Sequence, residues 1–301
     1  MILVYLAVLL SVALLTYGFF WYETANGAHR KHLEKISGGS VGWWIAKGVI
    51  TSLISLNLIV VSFPFGLWRR RLKPQPDPTS PRPPVILIHG LQHNVSAWLL
   101  YRWQLTSKGF RNTYAFGYNC FGTSVDELLE QLDRLVLEIL DQLPQQRVIL
   151  IGHSLGGVLA RAYVENPRHA GKVAAVVTLG APHQGTKLAV FAPGKLGRSL
   201  SYHGPLFHEL EQNAAVPADA PCLAIYSPVD SMVLPSEALL VAHPGWSHLE
   251  YRPMSHVAML YHPGLVRLVI TYLQQLHTLP GDAEKLLAAA RSRNKYTRWP
   301  T

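Results

Sequence analysis

Two long apolar runs open the chain, and short strand-like runs alternating with amphipathic stretches fill the rest. Residues 1–22, MILVYLAVLLSVALLTYGFFWY, carry no charged side chain. About 20 apolar helical residues cross a bilayer core, so this segment has the length of a membrane helix. No Lys or Arg precedes Arg30, unlike the basic leader of a secretory signal, and Phe19, Phe20, Trp21 and Tyr22 suit a membrane–water interface. A second run covers 48–68, with Lys47 able to snorkel from its end and Pro64 and Gly66 in its last turn. Its length favours spanning over lying on a domain surface.

From residue 85 the pattern changes. Residues 85–89 (VILIH), 113–118, 147–151 (RVILI), 173–179 (VAAVVTL) and 222–227 (CLAIYS) read as strands buried on both faces, and 248–252 (HLEYR) as a last strand. Helical stretches lie between them. In 124–143, Val125, Leu128, Leu129, Leu132, Leu135, Val136 and Ile139 recur at three and four, with Asp126 and Glu127 at the positive N-terminal end. A last helix is expected over 257–276. This alternation predicts an α/β class with a mostly parallel sheet flanked by helices, preceded by an N-terminal transmembrane helix or hairpin. Ligands of such sheets bind at the carboxyl ends of the strands.

Composition refines the picture. Apolar residues make up 49% and charged residues 15% of the 301, which excludes disorder and coiled coil. The formal charge of +9 splits into +6 over 1–75, zero over 76–280 and +3 over 281–301. A neutral body with basic ends argues against a nucleic-acid face and for a membrane surface. Residues 74–84 (PQPDPTSPRPP) hold six prolines and read as a semi-rigid spacer. At about 3.1 Å per residue it would reach roughly 35 Å. The expected layout is an anchor over 1–73, the linker, a globular domain over 85–278 and a basic tail over 279–301, with a short helix at 284–293. Arg69, Arg70, Arg71 and Lys73 outweigh the loop residues Arg30, Lys31 and Lys35, which places the globular domain in the cytoplasm by the positive-inside rule. Cys120 and Cys222, the only cysteines, lie on or beside strands and read as buried thiols, which excludes a disulfide scaffold or a Cys-built metal site.

The strand 147–151 runs into Gly152-His153-Ser154-Leu155-Gly156-Gly157, and a helix-compatible stretch follows. This strand–turn–helix setting gives G-x-S-x-G its chemistry: the serine is exposed on a sharp turn, and Gly152 and Gly156 let the helix cross close to the strand. A serine nucleophile needs a base, and the base needs an acid. Asp230 follows the strand 222–227 and is the expected acid; Asp219, Glu209 and Glu211 fall before that strand or in an insertion, and Glu237 is the rival. Of 14 histidines, His256 lies between the last strand and the last helix and is the expected base. His243 and His248 come too early, His262 falls on the helix, His153 lies in the elbow, and His89 reads as structural. The oxyanion donors are expected from the Leu155 and Leu91 N–H groups, with Gly90 letting the first loop approach. No histidine spacing suits zinc. The insertion 184–220 is a candidate cap over the site.

HGLQ after VILI, GHSLGG, GAPHQGT at 180–186, PVD and SHVAMLYHPGLVRLV together resemble the α/β-hydrolase superfamily, most of all small bacterial lipases and esterases. The resemblance covers residues 84–276. It implies a minimal sheet lacking the first two strands of the full fold. It also implies serine carboxylic ester hydrolysis, with Ser154 as nucleophile, Asp230 as acid, His256 as base and Leu91 and Leu155 as oxyanion donors. Lipid acyl esters are the implied substrates, with no cofactor and no nucleic-acid partner. Some relatives hold calcium beside the catalytic histidine through aspartates. Here no Asp follows His256 before Asp282, so no metal is expected. An acyltransferase or thioesterase would use the same residues, and a non-catalytic membrane scaffold could keep the same fold.

Overall fold

The computed structural model describes residues 2–69, 76–213, 220–276 and 288. The chain opens with α1 (Ile2–Asn26), a short α2 (His29–Ile36) and α3 (Val41–Arg69). Both apolar runs are thus helical, and the loop between them is itself a helix. Helices α1 and α3 are each long and apolar enough to cross a membrane, though one side of each packs against protein. Within α1 the buried stripe is Leu9, Ala13, Tyr17 and Phe20, at helical spacing. The other sides of α1 are exposed and apolar, with Leu3 at 81% and Leu15 at 62%. The basic cluster 70–73, the first two linker residues and all of the expected tail helix but residue 288 lie outside the described residues.

The body is built on β1 (Val85–Ile88), α4 (Leu99–Ser107), β2 (Thr113–Phe116), α5 (Val125–Asp141), β3 (Val148–His153), α6 (Leu155–Glu165), α7 (Pro167–Ala170), β4 (Val173–Leu179), α8 (Gly194–Ser199), α9 (Pro205–Asn213), β5 (Cys222–Tyr226), β6 (Trp246–Glu250) and α10 (Pro263–Gln275). The six strands form one sheet in the order β2-β1-β3-β4-β5-β6, and every pairing is parallel. Alternating residues feed two cores. Ile86, Leu150 and Val176 face α5 and α6, meeting Leu128, Leu132, Val158 and Leu159. Val85, Ile149, Ile151 and Leu223 face α4 and α10, meeting Leu105, Leu265 and Val269. All six expected strands are present, and the last begins at Trp246, two residues earlier than its sequence pattern suggests.

The last helix differs from expectation. Val257–Leu260 is a 3₁₀ turn, and α10 starts only at Pro263. Proline has no N–H to donate and so suits a first turn. His262 therefore caps the helix rather than riding on it, its Nδ1 accepting from the Leu265 N–H at 3.1 Å. Cys120 and Cys222 are buried free thiols, as their strand positions implied.

Two local devices fix the helices beside β3. Helix α5 opens with a reciprocal cap: Ser124 Oγ accepts from the Glu127 N–H while the Glu127 carboxylate accepts from the Ser124 N–H at 2.9 Å. Helix α6 is buried along its whole length and passes so close to β1 that a methyl group on Gly156 would overlap the Ile88 carbonyl oxygen. Ser124→Ala should lower stability by about 1 kcal/mol. Gly156→Ala should cost about 2–3 kcal/mol, since backbone must move to admit the methyl. Thermal melts followed by tryptophan fluorescence would rank the two; a Gly156→Ala chain as stable as the parent would refute the close crossing.

Candidate active site

The loops after the strands meet at the carboxyl edge of the sheet. Ser154 stands between β3 and α6 with φ 55° and ψ −125°, a conformation costly for a residue with a β-carbon. Its N–H donates to the Leu179 carbonyl at 3.0 Å, which ties the elbow to the end of β4. Gly90, just past β1, lies against it: a β-carbon there would come 2.9 Å from the Ser154 Cβ. The loop carrying Leu91 thus reaches the serine, while Leu155 begins α6 directly behind it.

Asp230 and His256 come from the ends of β5 and β6. Asp230 is fully buried, and its Oδ1 accepts from the N–H groups of Met232 at 2.9 Å and Val233 at 3.2 Å. Its Oδ2 accepts from His256 Nδ1 at 2.7 Å. That bond sets the histidine tautomer, leaving Nε2 free of a proton and able to act as a base. Gly180, at φ 55°, packs on the pair; a β-carbon there would lie 3.0 Å from Asp230 Oδ2 and 3.1 Å from His256 Nδ1. Glycine as the first residue of GAPHQGT thus suits both the positive φ and the close approach of the pair.

His153 is a neighbour the motif reading left unassigned. Its Nε2–H donates to the His256 carbonyl at 3.1 Å, and the two rings stand 4.6 Å apart. Burial, reinforced by His256 beside it, holds the His153 pKa well below the usual histidine range, so it is neutral at physiological pH. Its position beside Ser154 in the elbow was the available signal. His89 is structural as expected: it stacks on Tyr118 at 4.1 Å, and burial pushes its pKa down to about 4.

Three of the rival groups, His248, His243 and Glu211, are engaged elsewhere, and Asp219 lies outside the described residues. His248 Nε2 accepts from the Val241 N–H at 3.0 Å, and His243 Nδ1 bonds the Pro244 carbonyl at 2.9 Å. Glu211 on α9 pairs with the buried Arg161 at 2.7 Å, and Arg161 also bonds Glu165 and the His183 carbonyl, each at 2.8 Å. This arginine fastens α9, and with it the insertion after β4, to α6. Among the described residues no cluster of His, Cys, Asp and Glu could hold a metal.

The chain resembles known proteins in part of its sequence and in its fold. A family model described as a PGAP1-like alpha/beta domain matches residues 111–192, which include Ser154. A GPI inositol-deacylase of Candida albicans is 29% identical over 110 residues, spanning 36% of this chain and only 23% of that protein. Lipase B of Aspergillus fumigatus superposes with a TM-score of 0.58 at 17% identity, covering 71% of this chain and 57% of the lipase. Phospholipase PlaB of Legionella pneumophila gives 0.56 at 16%, covering 71% and 63%. Lipase BlEst2 of Bacillus licheniformis gives 0.53 at 19%, covering 67% and 94%. Sheet order, serine elbow and these matches together place the chain in the α/β-hydrolase superfamily, with a lipase-like fold.

Proposed function

We propose that this chain is a carboxylic ester hydrolase that cleaves lipid acyl esters at Ser154. The observation that carries the reading is the His256–Asp230 bond of 2.7 Å beside a serine held at φ 55°. In this mechanism Ser154 Oγ attacks the ester carbonyl as His256 Nε2 takes its proton, and the buried Asp230 carboxylate stabilises the imidazolium. The Leu91 and Leu155 N–H groups bind the oxyanion. The carbon–oxygen bond to the alcohol breaks, and the alcohol leaves with the proton from His256. Water then repeats the sequence on the acyl-serine and releases the carboxylic acid. The insertion 184–220 acts as a cap over the mouth.

The names of similar proteins support this substrate class: a GPI inositol-deacylase, lipases and a phospholipase. The apolar surface of α1 and α3 supports attachment to a membrane. It continues onto the loop after β4, where Val190 and Phe191 are 77% and 68% exposed and Phe191 stacks on Phe19 of α1. The basic residues 69–73 favour the cytoplasmic side.

Ser154→Ala and His256→Ala should each lower kcat on a p-nitrophenyl ester by at least about a thousandfold without unfolding the chain, since the triad acts as a unit. Asp230→Asn should cost about 10³–10⁴-fold; near-parent turnover in it, with collapse in Glu237→Gln, would move the acid role to Glu237. Activity should survive EDTA, and a loss restored by Ca²⁺ would overturn the metal-free mechanism. Separately, the full chain should sediment with membranes, resist high salt and need detergent for release. Release by salt alone would refute apolar attachment.

A further inference from the structure

The helical hairpin does more at this site than an anchor requires. Its contacts with the body fall on the loops that carry the reacting groups. Tyr17 on α1 donates its hydroxyl proton to the Val229 carbonyl at 3.0 Å, and Val229 is the residue before Asp230. Thr51 on α3 accepts from the Ser255 N–H at 2.8 Å, and Ser255 is the residue before His256. Asn94, in the loop that carries Leu91, donates to the Phe63 carbonyl of α3 at 2.9 Å. Helix α2 adds His29, whose Nε2 bonds the Pro228 carbonyl at 2.8 Å. Acid loop, base loop and oxyanion loop are each fastened to the hairpin.

The sequence of the hairpin is shaped to these contacts. Thr51, Ser55 and Ser62 recur at four and seven residues and so share one face of α3. That face meets the body, Ser55 lying 3.3 Å from Ser255 and Ser62 lying 3.5 Å from Tyr261. An adjoining side of the helix, with Ile50, Ile54 and Val61, is exposed and apolar. A helix that only held the chain to lipid would need no such stripe. Gly48 leaves the gap that the Tyr17 ring fills, since a β-carbon there would overlap the phenol. Thr51 is set as an acceptor because its own proton goes to the Lys47 or Gly48 carbonyl, at 2.8 and 3.0 Å.

We propose that the α1–α3 hairpin is part of the hydrolytic site, with Thr51 and Tyr17 as positioning residues that hold His256 and Asp230 through the residues preceding them. The proposal rests on the hydrolase reading above and deepens it. Neither side chain touches substrate. Each fixes the backbone on which a reacting side chain hangs, and displacements near 1 Å in such groups cost about a hundredfold in rate.

The test uses the full chain in detergent micelles with a short soluble p-nitrophenyl ester, so that access to lipid does not limit the rate. It also measures the rate at which a fluorophosphonate labels Ser154. Thr51→Val keeps the shape of the side chain and removes the acceptor. It should lower kcat and the labelling rate at least tenfold with KM within twofold, and Thr51→Ser should restore both. Tyr17→Phe, which keeps the ring, should act in the same direction as Thr51→Val. Ile54→Ala, on the exposed face of the same helix, should leave both rates unchanged. An active chain in which Thr51→Val and Tyr17→Phe both turn over and label at the parent rate overturns this proposal alone. A parent chain that neither hydrolyses esters nor labels at Ser154 overturns the hydrolase reading, and this proposal with it.

Discussion

A carboxylate with no exposed surface must have its oxygens bonded or lose its charge. Asp230 is such a group, and the carboxyl edge of the sheet is arranged around it. Two backbone N–H groups of its own loop take one oxygen and His256 takes the other. For His256 to arrive there, the loop after β6 must fold back beside the loop after β5, and Gly180, the residue just past β4, leaves room for the pair. His153 then holds the carbonyl of His256 from the elbow side. Ser154, Asp230 and His256 are far apart in sequence, and they meet because β3, β5 and β6 run parallel and end at one edge of the sheet.

Much of this arrangement is legible in the amino-acid order. The strands announce themselves as β-branched runs, and the elbow announces itself by glycines two residues either side of a serine at a strand's end. Asp230 and His256 are recognisable because each follows a strand in the order the chemistry needs. Where the reading falls short, the missing information is long-range. Pro263 marks the true start of the last helix, but the continuous apolar pattern from Val257 hides the 3₁₀ turn and the tight corner at His262. The spacing of Thr51, Ser55 and Ser62 was visible within an otherwise apolar run, yet its meaning depended on what would lie opposite. A pattern of alternation cannot show that opposite it stand loops some 200 residues away.

The same limit explains the revised view of the anchor. A proline-rich spacer suggests a domain swinging on a tether. The structure instead seats the hairpin on the domain: Tyr17, Phe20, Leu33 and Ile36 form one apolar cluster with Val229 and Leu234. Electrostatics reinforces the seating, with His32 of α2 against the buried Glu250 at 2.8 Å and Lys187 of the insertion against Glu23 of α1 at 2.6 Å. Burial raises the Glu250 pKa, and the hydrogen bond from His32 opposes that rise.

Chain order gives this seating a direction in time. During synthesis the hairpin emerges before the serine elbow, and the loops bearing Asp230 and His256 emerge after both. Those last loops therefore meet a surface that is already made. Until the helices dock, the loops bearing Asp230 and His256 lack their outer support. On the reading proposed above, hydrolytic power would then come with the last step of assembly, after the apolar helices have found their place.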